Sequence, residues 1–182
     1  MPLDPNQTTI EPQTIDTHTI EQHRVRSARR DDLSALLRLE NQFSTDRLNR
    51  RNFLYLLQRA HAEVFVVDGP QGLLAGDAVV LYRQGVSAAR LYSLVVAPES
   101  TRLGIGRTLL AATETAAHAR NKSGMVLEVR EDNLGALALY QRVGYRIVRR
   151  IPNYYQDGAA GLRLTKSFDA PVARPVARPV AR

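Results

Sequence analysis

Hydrophobic positions along this chain recur at two spacings, and each spacing predicts one kind of element. Four segments have the helical period, and they lie at 33–39, at 48–60, from the glycines at 104–106 to about 120, and at 133–143. Apolar, β-branched segments bounded by turn residues predict strands at 23–29, 63–68, 73–83, 87–97, 124–130, 145–151 and 160–166. Gly76 predicts a break or bulge in its strand.

The order of these elements indicates the fold class. Three consecutive strands joined by short turns favour antiparallel pairing, whereas the later strand–helix–strand units favour a parallel pair. We therefore expect an α/β fold with a mixed central sheet of six to seven strands and helices on both faces.

The two ends of the chain differ from its middle. Residues 1–22 are polar, with four acidic residues and no lysine or arginine, and they lack the basic and apolar regions of a signal peptide. Residues 171–182 repeat PVAR three times, and a proline at every fourth position prevents a helix. We expect a flexible N-terminal tail at 1–22, one folded domain at 23–168 and a disordered tail at 169–182. The lack of an export signal or a membrane-length apolar run predicts a cytoplasmic location.

Composition limits the kinds of partner and site that the chain can have. The formal net charge of +7 suggests a polyanionic partner, which could be RNA, an acidic protein or a phosphorylated cofactor. The chain has no cysteine, which excludes disulfides, cysteine metal ligands and a cysteine nucleophile. Its four histidines are scattered without ligand spacing, so we predict no metal site.

The stretch LVVAPESTRLGIGRTLL at 94–110 has the form of a strand, a glycine loop and a helix start, which commonly binds phosphate. A nucleotide P-loop does not fit, because Thr101 replaces its first glycine and Arg107 replaces its lysine. A dinucleotide fingerprint does not fit either, because Leu109 replaces its third glycine. A tight turn before a packed helix is the simplest alternative.

Two motifs together resemble the GNAT N-acetyltransferase superfamily. The loop TRLGIG at 101–106 matches its Arg/Gln-x-x-Gly-x-Gly/Ala pattern, except that Thr101 stands at the leading position. The segment LEVREDNLGALALYQRVGY at 127–145 is similar to its next motif, and most similar to RimI-like ribosomal-protein alanine acetyltransferases. This resemblance implies direct acetyl transfer from acetyl-CoA to an amine.

The resemblance also implies which residues bind the cofactor. The main chain of Leu94, Val95 and Val96 would pair with the pantetheine arm, although their side chains can be ordinary core residues. The diphosphate would lie on the backbone amides of the loop, with charge from Arg102 or Arg107. The expected loop residues are Arg102, Leu103, Gly104, Ile105, Gly106, Arg107 and Thr108. Asn133 is expected either to cap its helix or to contact the cofactor.

Two residues are candidates for proton transfer. Glu128 alternates with Leu127 and Val129 along its strand, and in RimI-like enzymes the matching glutamate is the proposed base. The alternative is a glutamate on a solvated strand face, paired with Arg130. Tyr140 is the candidate acid for the leaving thiolate, and its alternative role is a packed helical aromatic.

The acceptor is less defined by the sequence. The segment RRIPNYYQDGAAGLRL at 149–164 resembles the end of RimI-like enzymes, which acetylate protein N-terminal α-amines. Tyr154 and Tyr155 would flank an entering peptide, with Phe43 and its loop at 43–46 as the other wall. A small-molecule amine or amino acid is the runner-up acceptor. A non-catalytic CoA-binding or ribosome-binding module, suggested by Thr101 and the basic charge, stays open.

Overall fold

Seven strands form one mixed sheet in the computed structural model, which describes residues 24–43 and 47–168. The strands are β1 (Val25–Ser27), β2 (Ala62–Asp68), β3 (Leu74–Leu81), β4 (Ala88–Val96), β5 (Gly124–Arg130), β6 (Arg146–Ile151) and β7 (Gly161–Ser167). Their order across the sheet is β1-β2-β3-β4-β5-β7-β6, and β4–β5 is the parallel pair within the described residues. The predicted α/β fold class and mixed sheet are therefore confirmed. The predicted tails at 1–22 and 169–182 lie outside the described residues.

Two helical layers cover the sheet. Helices α1 (Leu33–Glu40) and α2 (Arg50–Leu56) lie on one face, and α3 (Ile105–Ala119) and α4 (Leu134–Arg142) lie on the other. The α3–α4 core contains Leu109, Leu127 and Leu164, all almost fully buried. The α1–α2 core draws its buried strand residues mainly from β2 and β3. This second helical layer therefore ends near β4.

Helix α2 differs most from its prediction, whereas the ends of the other helices and strands lie within two residues of theirs. Helix α2 begins after Asn49, whose side-chain oxygen accepts the Asn52 N–H at 2.9 Å. The helix ends at Leu56, one turn before the predicted end near Ala60. The bulge predicted at Gly76 lies beside it, since Val67 pairs with Gly76 and Asp68 already pairs with Leu74.

Gly76 has a packing reason to be glycine. A Cβ at this position would lie 2.8 Å from the Val95 carbonyl oxygen and 3.0 Å from a methyl group of Leu109. Leu109, in the first turns of α3, therefore packs directly on the backbone of β3 at this glycine.

Strands β4 and β5 separate after a short parallel pairing. Their paired residues run only from Ala88 with Gly124 to Leu91 with Leu127, although β4 continues to Val96. Tyr92 is an extra residue in β4, because Leu91 pairs with Val80 while Ser93 pairs with Val79. Such a bulge bends its strand, and here it marks the point where the two strands part.

Candidate active site

A cleft of about 1060 Å³ opens where β4 and β5 part. Most of the residues predicted from sequence line it, including members of both catalytic and cofactor sets. These are Phe43, Leu94, Val95, Val96, Arg102, Gly104, Ile105, Gly106, Arg107, Glu128, Asn133, Tyr140, Tyr154 and Tyr155. Two predicted loop residues, Leu103 and Thr108, lie outside this lining. The Leu103 side chain points to solvent with 58% exposure.

The glycine loop presents the positive end of α3 to the cleft. Gly104 caps the helix with φ of +82°, a left-handed conformation that favours glycine. By helix geometry the amides of residues 104–107 have no intrahelical acceptor. The Thr108 N–H, by contrast, is donated to the Gly104 carbonyl at 3.0 Å, and the Thr108 hydroxyl donates to the same oxygen at 3.2 Å. Thr108 therefore belongs to the helix rather than to the free anion-binding turn.

Gly106 has a role that the sequence did not reveal. A Cβ there would lie 3.2 Å from a Leu139 methyl group and 3.5 Å from one of Val96. The second glycine therefore lets α3 approach α4 and β4, in addition to any close approach by a ligand.

Charge around the loop comes from arginines. Arg102 and Arg107 line the cleft, and neither has an ion-pair partner within residues 24–43 and 47–168. Thr101, which stands where the superfamily usually has arginine or glutamine, folds its hydroxyl back onto the Pro98 carbonyl at 2.9 Å. The two neighbouring guanidinium groups are thus available to an anion at the helix N-terminus.

Residues 94–96 have one backbone edge paired and the other facing the cleft. They pair with Ala78, Asp77 and Gly76 of β3, but lie beyond the pairing with β5. The side chains of Leu94 and Val96 pack against the α3–α4 core, as expected for core residues. Their main chain on the β5 side is therefore available for an extended ligand.

Glu128 lies between two guanidinium groups. Arg90 Nε donates to Oε2 at 3.0 Å, and Arg163 Nε donates to Oε1 at 2.8 Å. The carboxylate points away from buried Leu127 and Val129, as strand alternation predicts, and its side chain is only 5% exposed. The alternative predicted for Glu128, a solvated strand face with pairing to Arg130, is therefore wrong.

The partners of Glu128 follow from strand register. Arg163 stands directly opposite Glu128 on β7, and Arg90 comes from the neighbouring β4. Arg130 instead binds Asp132 and Asp157. Sequence reasoning missed both arginines, because the partners are more than 30 residues away from Glu128 along the chain.

Tyr140 combines the two roles considered for it. Its side chain packs in the α3–α4 core with 7% exposure, and its ring lies 5.8 Å from that of Tyr145. It also lines the cleft. Burial, with a smaller contribution from Tyr155, raises the pKa of Tyr140 to about 12, so its hydroxyl stays protonated at physiological pH.

Asn133 caps α4. Its side-chain oxygen accepts the Ala136 N–H at 3.1 Å, which leaves its amide NH₂ as a donor on the cleft side. The capping role is therefore observed, and it does not prevent a contact with a bound ligand.

The loop between β6 and β7 brings two tyrosines to the cleft rim. The N–H groups of Tyr154 and Tyr155 both donate to the Ala159 carbonyl, at 3.0 and 3.1 Å, and their rings meet edge to face at 5.1 Å. Arg90 donates to the Tyr154 hydroxyl at 3.1 Å, which links this loop to the Glu128 cluster. Phe43 lines the cleft from the α1–α2 core; residues 44–46 of its loop lie outside the described residues.

Sequence reasoning missed two buried carboxyl groups. Glu40, the last residue of α1, is 3% exposed and lines the cleft. Asp77 is completely buried in β3. The signal for Asp77 was available, since it interrupts the apolar run LLAGDAVVL at 73–81.

The part of the chain that the structure describes contains no group of three or more histidine, cysteine or acidic side chains that could hold a metal ion. None of the helices at 24–43 or 47–168 combines the length and apolar character needed to cross a bilayer.

Comparison with known proteins agrees with this geometry. The family model for the acetyltransferase (GNAT) family matches residues 30–145. An N-alpha-acetyltransferase of Sulfurisphaera tokodaii is 27% identical over 149 residues, which cover 76% of this chain and 89% of that protein. The naa20 catalytic subunit of the N-terminal acetyltransferase B complex of Schizosaccharomyces pombe is 37% identical over 65 residues, 36% of each chain, so that match spans about a third of the relative.

Solved structures show the same fold. The ribosomal-protein-S18-alanine N-acetyltransferase from Escherichia coli superposes with a TM-score of 0.72 at 24% identity, over 84% of this chain and 99% of that one. Because the family model covers well over half of the sequence, the resemblance read from the two motifs is confirmed: the chain belongs to the acetyltransferase (GNAT) family.

Proposed function

We propose that the protein transfers an acetyl group from acetyl-CoA to a primary amine, most readily the N-terminal α-amine of a protein or peptide. The observation that carries this proposal is the convergence of three features in one cleft. The free N-terminus of α3, the free edge of β4 and the buried hydroxyl-bearing Tyr140 all line it. A simple tight turn before a packed helix would not require the other two features.

Acetyl-CoA, when bound, supplies the acetyl group as an activated thioester. The amides of residues 104–107, with Arg102 and Arg107, would hold its diphosphate at the positive end of α3. The free edge of residues 94–96 would pair with the amides of its pantetheine arm, in the manner of an added strand. A backbone N–H of this edge would also stabilise negative charge on the thioester oxygen.

Tyr140 is proposed to act on the sulfur. With a pKa of about 12, its phenol lies above an ordinary thiol near 8.5, so complete proton transfer to a free thiolate is unfavourable by about 5 kcal/mol. Tyr140 therefore acts first as a hydrogen-bond donor to the charge that develops on sulfur. The phenolic proton is transferred completely to the sulfur only when Tyr140 receives another proton, which comes from the attacking amine.

Glu128 is proposed to accept a proton from the attacking nitrogen. Arg90 and Arg163 each occupy one of its oxygens, but a carboxylate has further lone pairs that can accept a proton. The two arginines also fix the orientation of the carboxylate at the point where β4 and β5 part.

Two observations support an N-terminal α-amine as the acceptor. The relatives named N-alpha-acetyltransferase and N-terminal acetyltransferase match this chain in sequence. The cleft is also bounded by Phe43 on one side and by Tyr154 and Tyr155 on the other, which leaves an open groove for an extended peptide.

The test is release of free thiol from acetyl-CoA in the presence of peptides with varied N-termini. Each peptide has a control whose α-amine is blocked, and polyamines, amino acids and aminoglycosides are assayed in parallel. Turnover that disappears with the blocked peptide supports the proposal. Turnover with small amines alone would replace the acceptor, and CoA binding without any turnover would favour a non-catalytic module.

Location and larger partners are part of the same proposal. A cytoplasmic location and an association with ribosomes would suit an enzyme that modifies nascent or ribosomal proteins. Cell fractionation and sedimentation with ribosomes at several salt concentrations would test both, because charge-driven RNA binding weakens steeply with salt.

A further inference from the structure

Two buried carboxyl groups lie beside the cleft without the partners that such groups usually have. Glu40 Oε2 accepts the Leu48 N–H at 3.1 Å, but Oε1 has no hydrogen-bond partner among the described residues. Neither oxygen of Asp77 has a partner within the same part of the chain. Because Ala78 faces the α3–α4 core, strand alternation turns Asp77 to the face on which α1 and Glu40 pack.

The surroundings indicate which of the two carries the charge. Burial raises the pKa of Asp77 well above its usual value, and the nearby charge of Glu40 raises it further. Burial also raises the pKa of Glu40, but the Leu48 N–H and the charge of Arg47 act in the opposite direction. Asp77 is therefore the more readily protonated of the two, and Glu40 is the more readily ionised.

Glu40 is also the member that borders the ligand space, although Oε1 itself has almost no exposed surface, so an acceptor reaches this oxygen only when the Glu40 side chain turns toward the cleft. It lines the same cleft as Phe43 and as Val95, which is paired with Asp77 across the β3–β4 ladder. An ionised carboxylate oxygen that is desolvated and unpaired is unfavourable until a donor reaches it. The cationic donor that acetyl transfer brings into this cleft is the acceptor ammonium group.

We propose that Glu40 receives the ammonium group of the acceptor and takes its first proton. This inference rests on the acetyl transfer proposed above. It extends that proposal by giving a role at the acceptor end of the cleft to Glu40, which lies outside the two superfamily motifs at 101–106 and 127–145.

The proton balance of the reaction leaves room for two acceptors. An ammonium group loses two protons when it becomes an amide nitrogen. The first passes to Glu40 Oε1 as an N–H bond breaks and an O–H bond forms, and Glu40 then releases it to solvent. The second leaves as the C–N bond forms and the C–S bond breaks, and Glu128 accepts it. Tyr140 gives its proton to the sulfur, and the proton held by Glu128 then passes to Tyr140, which restores both groups. The products are the acetylated amine, the free thiol and one released proton.

The test compares Glu40→Gln with the wild-type chain across pH. A glutamine oxygen can still accept the Leu48 N–H, so the contact that holds the α1–α2 connection is retained. Without Glu40, only acceptor that is already neutral in solution can react. An α-amine with a pKa near 8 is about 3% neutral at pH 6.5 and mostly neutral at pH 9. We expect kcat/KM of the variant to fall about 30-fold below wild type at pH 6.5, and to come within about threefold of it at pH 9.

Controls separate this inference from other effects. Glu131→Gln removes an exposed carboxylate that pairs with Arg150 away from the cleft, and it should match wild type at every pH. A deficit of Glu40→Gln that is equal at all pH values would show a structural role and overturn the inference, while acetyl transfer by the wild type would still stand. If wild type acetylates no amine at all, the proposed function fails first.

The wild-type chain gives a second test that does not depend on the variant folding. If Glu40 accepts the first proton, wild-type kcat/KM should stay within about threefold between pH 7 and pH 8. A rise of about fivefold over this interval, following the neutral fraction of an acceptor with a pKa near 8, would overturn the inference.

Discussion

Replacing Tyr140 with phenylalanine removes one hydroxyl from the cleft and leaves the packing in place. The ring is 7% exposed and lies against Tyr145, and phenylalanine preserves both the burial and the ring contact. The variant therefore isolates the contribution of the phenolic O–H to catalysis.

The magnitude of the loss distinguishes two roles. A hydrogen bond to a charged group contributes about 1.5–3 kcal/mol, which corresponds to a loss of roughly ten- to 150-fold in kcat. Full general-acid catalysis would contribute roughly 10²- to 10⁴-fold. Because the pKa of about 12 opposes complete proton transfer to a thiolate near 8.5, we expect a loss of about 30-fold, inside the hydrogen-bond range and below the range of full general-acid catalysis.

The assay is steady-state thiol release with a saturating acceptor, together with calorimetric titration of CoA. We expect kcat of Tyr140→Phe to fall while the Kd for CoA changes by less than about twofold, because the lost interaction is made mainly in the transition state. Tyr145→Phe is the matched control: it also deletes a buried tyrosine hydroxyl, but that hydroxyl lies toward Glu114. A kcat within threefold of wild type for Tyr140→Phe would refute its role.

Three further predictions concern the scaffold around the cleft. Gly104→Ala places a Cβ at φ of +82° and should weaken CoA binding several-fold, as measured by calorimetry. Gly158→Ala is equally strained, at φ of +83° in the β6–β7 loop, and should leave the Kd for CoA unchanged. Equal effects of the two substitutions would contradict the assignment of the glycine loop to CoA binding. Asp77→Asn should raise the free energy of unfolding in urea by about 1–3 kcal/mol at pH 8. Because burial raises the pKa of Asp77, the wild-type protein loses stability as pH rises. The stability gained by Asp77→Asn should therefore shrink toward pH 4. A gain that does not change with pH would contradict this prediction. Gly76→Ala, with its Cβ 2.8 Å from the Val95 carbonyl oxygen, should lower stability by about 1–3 kcal/mol in thermal unfolding, and an unchanged Tm would show that the strand relaxes freely.

Local patterns were sufficient for the elements and for the direction of several side chains. Alternation along LEVR placed Glu128 opposite Leu127 and Val129, and the structure agrees. The glycine loop and the helix after it could be predicted because a left-handed glycine cap and the helix start that follows it both depend on residues within one short segment.

Long-range contacts could not be predicted in the same way. Arg90 on β4 and Arg163 on β7 contact Glu128, although they are 38 and 35 residues away from it in sequence. These contacts depend on the registers of the β4–β5 and β5–β7 pairs. Glu40 directly follows the leucine pattern of 33–39, and an acidic residue at that position does not by itself indicate a buried group. Its burial depends on α1 packing against β3, which no local spacing encodes.

The extra residue in β4 explains how one strand serves both faces of the cleft. Before the bulge, Ala89 and Leu91 face the α3–α4 core; after Tyr92, Leu94 and Val96 face that core instead of residues 93 and 95. Without the bulge, simple alternation would place Leu94 and Val96 on the opposite face, because a shift of one residue reverses every later side chain. The observed phase lets Gly106 at the start of α3 lie over Val96, and it turns Val95 toward the α1–α2 core. The same insertion lies where β4 parts from β5, so it places the N-terminus of α3, the proposed diphosphate site, on one face of the sheet and leaves the other face to the proposed acceptor side.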